Sequence, residues 1–144
     1  MADIMSPEQR SERMSRIRGQ HTRPELLLRR ALHRRGLRYR LHVTGLPGRP
    51  DLVFPRHRAV VFMHGCFWHQ HKDCKVAKVP KSNTLFWQEK FARNQRRDRA
   101  NTRRLRALGW RVAVAWECQV TSAAGLDRTA ERIERFVHGA SGTR

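Results

Sequence analysis

Apolar residues recur along the chain with distinct spacings, and each spacing predicts an element. Leu27, Leu28, Ala31 and Leu32 fall on one face at the helical period. Thr22-Arg23-Pro24-Glu25 forms a capping box in front of them and Gly36 a terminator behind, so a helix is predicted between those signals. The next stretch, "LRYRLHV", alternates. Leu37, Tyr39, Leu41 and Val43 oppose Arg38, Arg40 and His42, which predicts a half-buried strand with its basic residues facing water. "DLVF" and "AVVFM" are unbroken apolar runs separated by "PRHR", as in a hairpin at the centre of a sheet covered on both faces.

From Asn83 to Leu108 a long polar stretch keeps Trp87, Phe91, Leu105 and Leu108 near one face and ends at Gly109, which predicts a second helix. "WRVAVAW" reads as a fourth strand, with Trp110 and Trp116 expected in the core. Leu126, Ala130, Ile133 and Val137 mark a closing amphipathic helix. The order helix, three strands, helix, strand, helix predicts one α/β or α+β domain over residues 21–138, with 139–144 as a flexible tail. Residues 1–20 differ: Ser6-Pro7-Glu8-Gln9 can open a helix, yet only Met14 and Ile17 offer apolar surface to bury. They read either as an arm completed by a partner or as solvated disorder.

Composition narrows the partner. The 144 residues suffice for one core, and 31 Lys and Arg against 12 Asp and Glu give a formal charge of +19. Such an excess calls for a polyanion, and nucleic acid leads because most of the cations are arginines, whose forked guanidinium suits phosphate and guanine. The first ten residues lack a basic-then-apolar leader and no long uncharged apolar run occurs, so a cytosolic protein is expected, with no membrane partner. Three cysteines cannot all pair within one chain.

Chemistry concentrates in "HGCFWHQHKDC", His64 to Cys74. Cys66, His71, Cys74 and the distant Cys118 make a complete tetrahedral zinc set with no open position, which predicts a structural ion. Buried unligated thiols are the plain alternative, and His69 competes with His71 as the imidazole ligand. Catalysis must then come from elsewhere. Asp51 enters an apolar strand after Gly48-Arg49-Pro50, where a carboxylate is costly unless it meets a cation. Glu25 can approach the same ion, while His64 and His69 are candidates for proton transfer. Each has a duller reading: Asp51 as a turn residue, Glu25 as a cap, the histidines as surface groups.

Met14 to Cys118 resembles the very short patch repair endonucleases. The match is carried by "LPGRPDLVF", "HGCFWHQH", "FWQEK", "RDR" and "LGWRVAVAWEC" in that order. The resemblance implies a restriction-endonuclease-like core, a central mixed β-sheet flanked by helices, with a structural zinc site and an N-terminal helical arm. It further implies Asp51 as the main magnesium carboxylate, the Met63 backbone carbonyl as a second ligand, Glu25 reaching the ion through water, His69 as base and His64 assisting at the phosphate. Cys66, His71, Cys74 and Cys118 would hold zinc. Phe67, Trp68 and Trp87 would form an intercalating wedge, which unstacks a mispaired step more cheaply than a sound one, with Met14 approaching from the other groove. Two departures stand out: the His71–Cys74 spacing is one residue longer than in the best-known member, and Met63 replaces a threonine.

The expected function is therefore magnesium-dependent nicking of one DNA strand 5′ to the thymine of a T:G mismatch, starting very short patch repair of deaminated 5-methylcytosine. The substrate partner is double-stranded DNA. Mismatch-repair proteins and a repair DNA polymerase are expected in the same pathway, and the protein is expected to be a monomer in the bacterial cytoplasm, associated with the nucleoid. Two rival readings remain: a noncatalytic zinc-containing nucleic-acid-binding module, and a nuclease of the same core without mismatch preference.

Overall fold

The computed structural model describes residues 22–139; the arm at 1–20, with Met14, and the tail from 140 onward lie outside them. Helix α1 (Arg23–Arg34) begins where its sequence directs, with the Thr22 Oγ1 accepting the Glu25 N–H at 3.3 Å and Pro24 in the first turn. Gly36 ends it at φ +87°, a left-handed conformation that glycine adopts without a Cβ penalty. Helix α2 (Thr84–Ala107) and helix α3 (Ala123–His138) end likewise, at Gly109 and Gly139, both with positive φ.

Four strands, β1 (Arg40–Leu41), β2 (Leu52–Phe54), β3 (Ala59–His64) and β4 (Arg111–Trp116), form one mixed sheet in that order. The β1–β2 and β2–β3 pairs are antiparallel, and β4 joins β3 in parallel after the α2 crossover. Alternation along the central hairpin explains why both runs look wholly apolar. Leu52, Phe54, Ala59 and Val61 pack with Leu28 and Leu32 of α1 and Ile133 and Val137 of α3, while Val53 and Val60 face Leu105 of α2 on the other side. The domain is α/β, as expected. Among the described residues, no helix is long and apolar enough to cross a membrane.

Four expectations require correction. The strand over residues 37–43 shrinks to two paired residues because His42 takes a left-handed φ of 47°, which ends the ladder. His42 does not face water; its side chain, 10% exposed, turns inward between Glu25 and Asp51. Leu108, assigned to the apolar face of α2, is 55% exposed, because it caps the helix rather than continuing its buried stripe. Trp116 is only half-buried and stacks on His71 at 4.1 Å, so it floors the cysteine cluster instead of filling the core; Trp110 does pack against the α2 side of the sheet.

Candidate active site and metal centre

The functional side chains gather at the carboxyl end of β3 and along its neighbours. The parallel register pairs His64 with Trp116, so Cys66 and Cys118, each two residues further on, emerge side by side. The Cys118 N–H meets the Cys66 Sγ at 3.4 Å, and the His71 Nδ1 lies 3.6 Å from Cys66 Sγ and 3.4 Å from Cys118 Sγ. Ligand atoms of Cys66, His71, Cys74 and Cys118 all fall within 4.8 Å of one another. A tetrahedron with bonds of about 2.3 Å to sulfur and about 2.1 Å to nitrogen has edges of about 3.5–3.8 Å, so the set fits zinc by donor type and spacing. Burial pushes the Cys66 thiol up to about 12, and burial also raises Cys118; the Val76 N–H, accepted by the sulfur, lowers Cys74. It is His71, not His69, that joins the thiols.

His69 belongs to a second group. Its ring stacks on His64 at 3.8 Å and within 2° of parallel, and its Nδ1 lies 2.6 Å from the Asp98 Oδ2. A carboxylate there favours the proton on Nδ1 and leaves Nε2 with a lone pair, the form required of a base. His64 is buried, and its Nδ1 finds no hydrogen-bond partner among the described residues. Burial, reinforced by repulsion from His69, pulls its pKa down to about 3, so the imidazole stays neutral. Asp98 lies in the "RDR" stretch of the resemblance, but the sequence alone assigns it no role. Its further signal is an acid placed inside a helix among Arg96, Arg97 and Arg99.

The third group is Glu25, His42 and Asp51, with ligand atoms again within 4.8 Å of one another. Asp51, immediately before β2, accepts the Met63 N–H at 2.7 Å through Oδ2. His42 spans the two acids: Nε2 is 2.9 Å from Glu25 Oε2, and Nδ1 is 3.6 Å from Asp51 Oδ1. Arg29 also reaches Glu25, at 3.3 Å. Burial chiefly, and secondarily the Glu25 charge, raises the Asp51 carboxyl to about 7, while the Met63 N–H opposes the shift. Two buried carboxylates give a hard divalent cation the oxygen donors it prefers. His42, read from alternation as a surface residue, is the second functional residue missed.

The aromatic residues form one cluster. Phe67 packs edge-on against Trp68, Trp87 and Phe91 at centroid distances of 5.0, 5.5 and 5.1 Å, and Trp68 lies 5.9 Å from Trp87. Phe91 is buried beneath, whereas Phe67, Trp68 and Trp87 remain half-buried. Gln70 and Asn94 hold the loop by donating to the carbonyls of Phe67 and Trp68 at 2.7 and 3.1 Å. Half-buried rings of this kind offer faces on which bases can stack.

A family model described as DNA mismatch endonuclease Vsr matches residues 2–76. The DNA mismatch endonuclease Vsr of Escherichia coli strain K12 is 43% identical over 141 residues, covering 96% of this chain and 90% of that protein. The type II nicking enzyme V.XorIIP of Xanthomonas oryzae pv. oryzae is 44% identical over 133 residues, covering 92% and 97% respectively. The type II nicking enzyme V.NmeAIP of Neisseria meningitidis serogroup A is 41% identical over 137 residues, covering 95% of each. With the family model spanning more than half the chain and these relatives matched over nearly their whole lengths, the chain belongs to the DNA mismatch endonuclease Vsr family.

Proposed function

We propose that this endonuclease nicks one DNA strand on the 5′ side of the thymine in a T:G mismatch, initiating repair of deaminated 5-methylcytosine, with magnesium at Asp51 and zinc at Cys66, His71, Cys74 and Cys118. What carries the reading is the buried Asp51 carboxylate, fastened to the Met63 N–H one residue before His64, so that a cation site and a histidine pair adjoin along β3. Endonuclease membership separates this reading from a noncatalytic module.

In this mechanism Asp51 and the Met63 carbonyl would hold the ion, and Glu25, kept in place by Arg29 and His42, would reach it through water. Bound there, magnesium supplies a Lewis acid for the scissile phosphate and charge stabilisation for the leaving oxygen. His69 accepts a proton from the attacking water at Nε2, with Asp98 fixing the ring through Nδ1. The new bond joins the water oxygen to phosphorus as the bond to the leaving deoxyribose oxygen breaks. Neutral His64 packs against His69 and presents a polar edge to the phosphate. Phe67, Trp68 and Trp87 insert where the stack is weak, and Met14 meets the DNA from the opposite groove. Residues 21–138 form the catalytic domain, 139–144 a tail. The enzyme works as a monomer on nucleoid DNA in the bacterial cytoplasm, and mismatch-repair proteins and a repair polymerase follow it.

A labelled T:G duplex incubated with magnesium should show one break in the thymine strand, absent with EDTA, absent in matched C:G and T:A duplexes, and absent with Asp51→Ala. An intact T:G duplex in abundant magnesium overturns the proposal. Equal cleavage of matched duplexes would mark a nuclease of this core without mismatch preference.

A further inference from the structure

The chain has 26 arginines but five lysines, and four of those, Lys72, Lys75, Lys78 and Lys81, recur at every third position of one ten-residue segment that contains no arginine. Burial follows the same period. Cys74, Ala77 and Pro80 are half-buried toward the body of the protein, whereas the four lysines and the residues that follow them, Asp73, Val76, Val79 and Ser82, are exposed. The segment is fixed at both ends. Cys74 belongs to the cysteine–histidine cluster and its carbonyl accepts the Ala77 N–H at 3.1 Å, while the Thr84 hydroxyl bonds the carbonyls of Pro80 and Lys81 at 3.2 and 2.9 Å. A random charged loop would share neither the period nor the anchors.

We infer that residues 72–81 form a strap whose lysine edge grips the phosphate backbone of the duplex beside the Phe67–Trp68–Trp87 wedge. The inference rests on the DNA mismatch endonuclease reading and extends it to a surface that reading does not use. The strap leads from the metal cluster straight into α2, whose first turns carry Trp87, so its charges travel with the wedge. Lysine suits the place. An ammonium stays hydrated and acts as a point charge on phosphate, and a guanidinium at the same positions would supply the same charge. Contacts of this kind position the protein without reading sequence, and each should add to the salt dependence of binding.

The test uses the full chain with Lys75, Lys78 and Lys81 all changed to glutamine, and a second variant with all three changed to arginine. Affinity for a T:G duplex and for a matched duplex is measured against potassium chloride concentration, without magnesium, alongside zinc content and melting temperature. The glutamine variant should hold wild-type zinc and melt normally, and the slope of log affinity against log salt should shallow by about 0.9 per lost contact, equally for both duplexes. The arginine variant should keep the wild-type slope. A glutamine variant with the wild-type slope overturns the inference, as does a loss confined to the mismatched duplex or a loss shared by the arginine variant. Nicking by the wild type is scored separately: a protein that binds but never nicks would defeat the mismatch-endonuclease reading and leave the strap to be judged by its slope.

Discussion

At Asp51, burial and ionisation oppose each other. Its carboxyl is raised from 3.8 to about 7, so the folded state binds a proton there that the unfolded chain has already released. The sign follows directly: this group's contribution is fully present below pH 4 and is lost as pH rises through 7, a loss on the order of 4 kcal/mol at most. Asp51→Asn keeps an acceptor for the Met63 N–H and carries no charge, so in metal-free buffer at pH 8 it should melt above the wild type while nicking nothing. A lower melting temperature would show that the ionised carboxylate is not the strained group. His64 works in the opposite sense. Its pKa falls from 6.5 to about 3, so its contribution is present above pH 6.5 and lost as pH falls toward 3. Melting curves of His64→Gln should therefore lose part of the wild type's acid sensitivity between pH 6 and 4. Asp98→Asn, which breaks the carboxylate contact to His69, should slow single-turnover nicking by about ten- to a hundredfold with DNA affinity unchanged. The cysteine and histidine donors were legible in the sequence because ligand chemistry resides in residue type. His42 and Asp98 were not, since each takes its role from a partner at least nine residues away that only the fold supplies.

Among the elements, regular stretches were legible and their interruptions were not. Periodicity and caps located α1 and α2 to within a residue or two because local propensity, amphipathic pattern and terminators agree there. The first strand failed for a physical reason. Alternation places His42 outward, but two buried carboxylates on α1 and beside β2 draw the imidazole inward, and the backbone turns to a φ of 47° to deliver it. A similar tertiary demand fixes Gly48, in the loop that leads to Asp51. It sits at φ +76°, and a Cβ there would lie 2.9 Å from the Asn101 Nδ2 and 3.1 Å from its Cβ on α2. Gly48→Ala should cost about 1–3 kcal/mol from backbone strain and crowding together, and should also lower nicking by displacing Asp51. Adding Asn101→Ala should restore the crowding part of the lost stability and leave the strain. A Gly48→Ala protein with wild-type melting and wild-type nicking would show that this contact does not position the loop.

For the molecule as a whole, the central question is what keeps the His69 and wedge loop in place. The two sides of the sheet hold themselves: α1 and α3 cover one face and α2 the other with fully buried Leu28, Leu32, Leu105 and Ile133. The segment from Gly65 to Pro80 contributes little to either core; Cys66 is its one fully buried residue, and Val76 and Val79 are exposed. Zinc at Cys66, His71, Cys74 and Cys118 would thus tie the loop that carries the proposed base to a body with its own core, unlike a small zinc finger, whose folding and metal binding are one event. Stability and activity should then separate on metal removal. Cys118→Ser, or stripping of zinc by a strong chelator followed by saturating magnesium, should leave cooperative unfolding at a lowered melting temperature. Nicking of a T:G duplex should fall by at least about a hundredfold, and the affinity advantage of mismatched over matched DNA should shrink, because base and wedge are released together. Restoring zinc to the stripped wild type should recover both. If the zinc-free protein nicks at the wild-type rate, the loop is held by its own hydrogen bonds and the tether has no part in catalysis.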